Sequence, residues 1–496
     1  MTKGLPDGVG IIGHDFEAVI GLEVHCQLAV TTKLFASCRN DEIDPVTLGL
    51  PGTLPVLNER AADLGVVLGF ALGCRVEPVS IFARKNYFYP DLPKGYQITQ
   101  YDRPLCTGGG VTLGSGKVVR LDRIQLEEDA GKTLHSSGHS LVDYRRAGVA
   151  LLEIVSMPDM CDAAEASEFL RRLHRIVVFH GISDGNLEQG HFRADANVSI
   201  RRRGDAELGT RTELKNINSF RYVERAITLE IQRQSSCVSR GEAIVMETRG
   251  YDGDRDRTFS MRTKESAHDY RYFPDPDLPP LVIGAGRMER LASRAAVDPH
   301  AAAATLRQQH GLSADDAEAL TIRRETLDFF LRLVSSLRVA APKTVGSFLV
   351  AEVLGWQEES LRLLARSDAI VWLAHALDAA AAGEIANKTL KEHLQTVFVD
   401  VFAAHAHLAE TTETESEACS FAAWAAAKGL TGLSDAGAVG GLASELLAEF
   451  PAQAEELRNG RDKLMTFFVG QAMKRTQGRV NAPLLQAKIR EILGLS

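Results

Sequence analysis

Glu23 and His25 sit two residues apart in a run, Ala18 to Leu28, that alternates between apolar and polar side chains. Ala18, Ile20, Leu22, Val24, Cys26 and Leu28 fall on one face, and Glu23, His25 and Gln27 on the other. In a β-strand, alternate side chains share a face about 7 Å apart, so a carboxylate and an imidazole become neighbours able to share a metal ion. A solvent-facing strand edge gives the same pattern, and repetition argues against it. Arg193, Asp195, Asn197, Ser199 and Arg201 alternate with Ala194, Ala196, Val198 and Ile200. Arg211, Glu213 and Lys215 share a face, followed by Asn216 and Asn218. Arg123, Gln125, Glu127 and Asp129 share another, with Glu128 opposite, ahead of Gly131 and Lys132. Four segments with mixed charges on one side predict a sheet whose concave face is a charged cleft.

Carboxylates and a histidine without a cysteine pair favour a hard divalent ion. Mg²⁺ binds through one or two carboxylates and substrate phosphates. Nearby Lys and Arg would offset phosphate charge as a phosphoryl group moves. This is the chemistry of ATP-dependent activation, in which a carboxylate gains a phosphate leaving group before an amine attacks. Gly114-Ser115-Gly116-Lys117 is not a P-loop: Val111 occupies the place of its first glycine, and Val118 that of its hydroxyl. A glycine-rich hairpin turn fits better. Gly108-Gly109-Gly110 lacks the context of a dinucleotide fingerprint, and there is no G-x-S-x-G elbow. Ammonia release from glutamine is therefore expected of another chain.

The elements that must hold these residues belong to a chain of 496 residues, too long for one core. No apolar run approaches the length of a membrane helix, Val66 to Cys74 being far too short. The N-terminal residues show no signal pattern, and the seven cysteines lack a C-x-x-C pair. A cytoplasmic protein without disulfides is expected. The net charge of −9 argues against indiscriminate nucleic-acid binding. A local basic patch is still present, since Arg461 to Ser496 carries seven basic residues against two acidic ones. All nine tyrosines lie between Tyr87 and Tyr272, and all three tryptophans beyond them. The break falls at Pro274 to Pro280, where prolines rule out helix and central strand. Glycine, β-branched residues and period-two alternation precede it; Ala, Leu and helical spacing follow. Glu410 to Glu417 reads as a linker. Lys463 to Met473 and Pro483 to Leu493 read as two helices joined by a turn at Gly478.

Two ring-dense blocks, NYFYPDLPKGYQITQYD from Asn86 and YRYFPDPDLPP from Tyr270, demand a core or a ligand to cover them. With VIGLEVH at Val19, PGTLPVLN at Pro51, LEEDAGK at Leu126, SLVDYRRAG at Ser140, LLEIVS at Leu151, GTRTELKNINSFRYVE at Gly209 and FFVGQAMKRTQGRVNAP at Phe467, they span nearly the whole chain. In these motifs the chain resembles the B subunit of the bacterial and organellar aspartyl/glutamyl-tRNA amidotransferase.

The resemblance implies an α+β fold: a glutamine-synthetase-like mixed-sheet cradle over 1–290, a helical domain over 291–409 and a small helical tail over 410–496 that contacts tRNA. It implies that ATP, with Mg²⁺, phosphorylates the side-chain carboxylate of Glu or Asp mischarged on tRNA(Gln) or tRNA(Asn). Ammonia channelled from a glutaminase (amidase) subunit, in a heterotrimer completed by a small third subunit, then displaces phosphate. Matched residue by residue, it implies metal ligation by Glu23, His25, Glu127, Glu128 and Glu153. Catalytic roles fall to Glu127, Glu128, Lys132, Glu213 and Lys215, and ATP or phosphate contacts to Arg193, Asp195, Lys215 and Asn216. Tyr87, Tyr89, Lys94, Lys474 and Arg475 are expected to meet tRNA. Of the four zinc-binding cysteines of many relatives only Cys38 remains, Ala36, Asp44 and Thr47 taking the other positions, so structural zinc is not expected. Met157 and Gln189 replace the usual glutamates, and Gln125 a frequent histidine. Two other readings stay open: a ligase acting on a free amino acid, and a non-catalytic RNA-binding subunit.

Overall fold

The computed structural model describes residues 16–217, 219–263, 269–355, 367–385, 387–397, 421–427, 436–476 and 480–495. The expected linker at 410–417, the turn at Gly478, and Asn218 lie outside these. Contacts divide the chain into two units, Met1–Pro299 and His300–Ser496.

The first unit is mixed α/β. Its strands, in chain order, are β1 (Phe16–Gln27), β2 (Arg75–Val76), β3 (Val79–Ser80), β4 (Phe82–Asn86), β5 (Tyr96–Gln100), β6 (Cys106–Thr107), β7 (Gly110–Thr112), β8 (Val118–Glu128) and β9 (Lys132–Ser136). They continue with β10 (His139–Asp143), β11 (Ala150–Ser156), β12 (Phe192–Arg202), β13 (Thr212–Ile217), β14 (Glu247–Asp252), β15 (Arg257–Thr263), β16 (Phe273–Pro274) and β17 (Leu281–Val282). One large sheet runs β15-β14-β13-β12-β1-β11-β8-β6-β2, with β7 also paired to β8. It is mixed: β13 and β14 run parallel, whereas its other pairs are antiparallel.

Period-two alternation decides which face is buried. Ile20, Leu22, Val24 and Cys26 of β1 lie in one core with Leu152 and Ile154 of β11 and Ala196 and Val198 of β12. A short helix, α1 (Pro45–Leu48), precedes three longer ones on this side. Those three, α2 (Glu59–Ala71), α3 (Ala163–Phe179) and α4 (Phe220–Ser239), supply Val66, Phe169 and Ile227 to the core. Each starts on a side-chain cap: Asn58 accepts from the N–H of Arg60 and Ala61, Asp162 from that of Glu165, and Ser219 from that of Tyr222. Helices on the apolar side leave the polar side to the site.

Two loops behave as their composition predicts. The Gly114–Lys117 segment is a hairpin turn between β7 and β8, closed by Leu113 N–H to the Lys117 carbonyl, with Gly116 at φ +87°. Asp44 caps α1, accepting from Val46 N–H, while the Thr47 hydroxyl returns to the Asp44 backbone. Residues that the resemblance aligns with metal-binding cysteines thus form a capping box.

The second unit is helical in its described residues. Its core at the C-terminal end joins Val439, Leu446, Phe468, Leu485 and Ile489. The helices Lys463–Arg475 and Ala482–Leu493 match the two read from sequence, the second opening on Pro483 behind an Asn481 cap. No described helix is long and apolar enough to cross a membrane.

Candidate active site

Strand register assembles the site. Across the sheet, Glu23 stands opposite Asp195, His25 opposite Arg193 on one side and Glu153 on the other, and Glu153 opposite Gln125. On β13, Glu213 stands opposite Asn197. The polar positions of β13, β12, β1, β11 and β8 therefore form one continuous row.

At its centre His25 Nε2 lies 3.4 Å from Glu127 Oε1 and 3.8 Å from Glu23 Oε1. One ligand atom each from Glu23, His25 and Glu153 fall within 4.8 Å of one another. Two carboxylates and an imidazole at that separation suit a hard divalent cation, so these residues fit the Mg²⁺ that the resemblance implies. Gln125 donates to Glu153 at 2.7 Å and to Thr99 at 3.1 Å, and accepts from Arg123 at 2.9 Å. It therefore orients Glu153. Thr99 also donates to Glu127, at 3.3 Å.

The electrostatics record the crowding. Burial would lower the His25 pKa, but the Glu127 hydrogen bond and the charges of Glu127, Glu153 and Glu23 outweigh it and raise it to about 9. Burial, then the charges of Glu127 and Glu23, hold the Glu153 carboxyl far above the usual carboxylate range. Burial pushes Glu127 the same way, yet His25 and Lys85 pull it below that range. Two neighbouring carboxyls driven in opposite directions are the kind of pair from which acid–base sites are built.

A second pair of charges extends the row. Lys215 Nζ lies 2.8 Å from Asp195 and 3.2 Å from Glu213, and Glu213 accepts from Thr248 at 2.9 Å. Arg193 reaches Asp129 at 3.4 Å, an aspartate already bound by Arg146. Asn216 belongs to β13 by its backbone.

Two residues expected in this row, Glu128 and Lys132, lie apart from it. Glu128, next to Glu127 on a pleated strand, turns away from it, and its Oε1 accepts from Lys94 and, at 2.9 Å, from Ile98 N–H. Glu128 thus lies apart from the group formed by Glu23, His25 and Glu153. Lys94, expected to meet tRNA, forms a buried ion pair with Glu128, the two side chains being 7 % and 3 % exposed. Lys132 is exposed at the start of β9, across from Asp143. Lys85 was not anticipated. It sits near Glu127 and Glu153, whose charges, with those of Tyr272 and Tyr270, raise its pKa although burial opposes them. The alternation of β4, which puts Lys85 and Tyr87 two residues apart, was the available signal.

Above the row stands an aromatic wall. Arg84 fixes the second ring-dense block to β4 through Asp275 and Asp277, both at 2.8 Å. Lys85 Nζ lies 5.0 Å from the centre of the Tyr270 ring, Tyr87 meets Tyr270 edge-on, and Tyr101 stacks on Tyr272 at 4.1 Å. A cavity of about 600 Å³ opens here, lined by Lys85, Tyr87, Tyr89 and Tyr270 among others. In the second unit Lys474 is exposed, and Arg475 pairs with Glu449.

Comparison with known proteins adds a family. Residues 18–289 match the family described as GatB/GatE catalytic domain, and residues 328–493 that described as GatB domain. The chain is 44 % identical over 495 residues to the B subunit of aspartyl/glutamyl-tRNA(Asn/Gln) amidotransferase from Nitratidesulfovibrio vulgaris strain DP4, covering 97 % of this chain and 99 % of that one. It is 43 % identical over 501 residues to the protein of that name from Anaeromyxobacter dehalogenans strain 2CP-C, with the same coverage. The B subunit of Bordetella parapertussis is 44 % identical over 500 residues, covering 97 % and 100 %.

Lys94→Ala strands the Glu128 carboxylate and should destabilise the first unit by about 3–5 kcal/mol in denaturant melts. An unchanged midpoint would mean that Lys94 is not structural. Cation binding must displace the proton that His25 holds up to about pH 9. Mg²⁺ affinity, followed by calorimetry, should rise on the order of tenfold or more from pH 7 to pH 9. A flat profile would remove His25 from the ligand set.

Proposed function

Because this chain belongs to the B-subunit family of aspartyl/glutamyl-tRNA(Asn/Gln) amidotransferase, we propose that it activates the side-chain carboxylate of Glu-tRNA(Gln), Asp-tRNA(Asn) or both with ATP. Amidation with ammonia follows. The carrying observation is the row Glu213, Asp195, Glu23, His25, Glu153 across adjacent strands, with Lys215 and Arg193 among them and Lys85 of β4 near Glu127 and Glu153.

The chemistry balances in two displacements. A side-chain carboxylate oxygen attacks the γ-phosphorus of ATP, the bond to the bridging oxygen breaks, and ADP leaves. Ammonia then attacks the acyl carbon, phosphate departs with the bonding pair, and one proton is lost. Lys215 and Arg193 bind the phosphates and offset charge that grows on their oxygens. Asp195 and Glu213 hold the Lys215 ammonium in place, and Asn216 is the next residue of β13. Glu127, adjacent to His25, keeps its negative charge there and holds the imidazole and the Lys85 ammonium beside the reacting groups. Magnesium, held by Glu23, His25 and Glu153, would supply further charge neutralisation to the phosphates when bound.

The same reading covers the rest of the chain. The large sheet serves as a glutamine-synthetase-like cradle, 291–409 as a helical domain and 410–496 as a tail whose Lys474 and Arg475 meet the tRNA body. Tyr87 and Tyr89 offer stacking surfaces to unpaired bases at the aminoacylated end. A glutaminase (amidase) partner delivers the ammonia, and a small third partner completes the heterotrimer.

In the purified complex, Glu153→Gln should lower ATP cleavage stimulated by Glu-tRNA on the order of 10²–10³-fold, with glutamine hydrolysis by the partner retained. Undiminished cleavage in that variant counts against the site. Equal stimulation by free glutamate would favour a ligase acting on the free amino acid.

A further inference from the structure

Arg271 has φ +45°, a backbone conformation disfavoured for any residue with a Cβ, and most often kept by Gly, Asn or Asp. It lies between Tyr270 and Tyr272, so its backbone sets where both rings go. Tyr270 meets Tyr87 at 6.1 Å and faces Lys85, while Tyr272 meets Tyr270 edge-on at 6.0 Å and stacks on Tyr101. A residue 184 positions before Tyr270 grips this turn from the other side. Asn86 donates its backbone N–H to the Tyr270 carbonyl at 2.9 Å. Its side-chain Nδ2 donates to the Arg271 carbonyl at 2.8 Å and to the Tyr270 carbonyl at 3.2 Å, with a longer contact to the Arg84 carbonyl at 3.4 Å. A local contact assists: Asp269 Oδ1 accepts from Arg271 N–H at 3.0 Å.

We propose that Asn86 is a positioning residue for the transamidation site: its amide clamps the left-handed turn at Arg271 and so holds Tyr270 and Tyr272 in the wall beside Lys85. The inference rests on the reading that this wall receives the aminoacylated tRNA end. A carboxamide suits the task because one NH₂ group can serve two carbonyls, and neither a carboxylate nor a methyl group can. Asn86 need not touch substrate. Its effect passes through backbone that strains toward another conformation when released.

A double-mutant cycle in the intact complex tests this, because glycine at 271 adopts the turn without help. Asn86→Ala should raise the KM for Glu-tRNA at least about tenfold in the parent background. In the Arg271→Gly background the same substitution should change it by less than about twofold. Asn86→Asp, which keeps the shape and loses the bonds that the side chain donates to the turn, should repeat the pattern if the alanine variant folds poorly. Hydrogen exchange at the residue 86 amide, bonded to the Tyr270 carbonyl, reports the docked turn without reference to activity. It should quicken in Asn86→Asp and recover when Arg271→Gly is added. Equal effects of the Asn86 substitutions in both backgrounds, by KM and by exchange, would overturn the clamp. If Tyr87→Ala leaves the KM for tRNA unchanged while the exchange cycle behaves as described, the clamp stands and the substrate reading of the wall fails.

Discussion

Three carboxylates, those of Glu23, Glu127 and Glu153, gather around one imidazole on a partly buried sheet face, and the rest of the first unit makes that crowding tolerable. Like charges this close cannot all stay ionised in a low-dielectric setting without compensation. His25 holds a proton, Glu153 is driven toward its neutral form, and Lys85 keeps its charge between the carboxylates and the tyrosine rings. The arrangement stores a preference for added positive charge. A divalent cation would relieve it.

Rigid support comes from elsewhere. The apolar face of the same strands packs under α2, α3 and α4, so each polar residue is tied through one backbone bond to a buried neighbour. Val24 and Cys26 flank His25 with no measurable exposure. Glu128 and Lys94 join β8 to the β4–β5 hairpin by a buried ion pair, and Arg84 joins β4 to the second aromatic block. A buried pair of this kind ties two elements together at one register, because either charge left alone is costly. Register is what the site needs, since a slip of one residue would turn Glu23 and His25 into the core.

How much of this was legible varied with the range of the contact. The pairing of Glu23 with His25, and the shared face of Glu213 and Lys215, lie in strand alternation that any reader of the chain can count. The same rule put Glu128 opposite Glu127, and only the family motif grouped them. Glu153 carries no such sign, because LLEIVS is apolar on both sides of it; register with β1 and β8 brings it to His25. The ion pair of Lys94 could not be read from the chain, because its partner is 34 residues away in the hairpin crossing. Lys85 and Asn86 were hidden for a similar reason. Their roles depend on Tyr270 and Arg271, which meet them through a contact between residues far apart in the chain. The helical unit was plain in outline from composition and spacing.

The central claim is that a side-chain oxygen of the esterified amino acid leaves as phosphate oxygen. Glutamyl-tRNA carrying heavy oxygen in its side-chain carboxylate, turned over by the complex with ATP and glutamine, tests it directly by mass analysis of the released phosphate. The account predicts one labelled oxygen transferred to inorganic phosphate for each amide formed. Amide formation with unlabelled phosphate would contradict it.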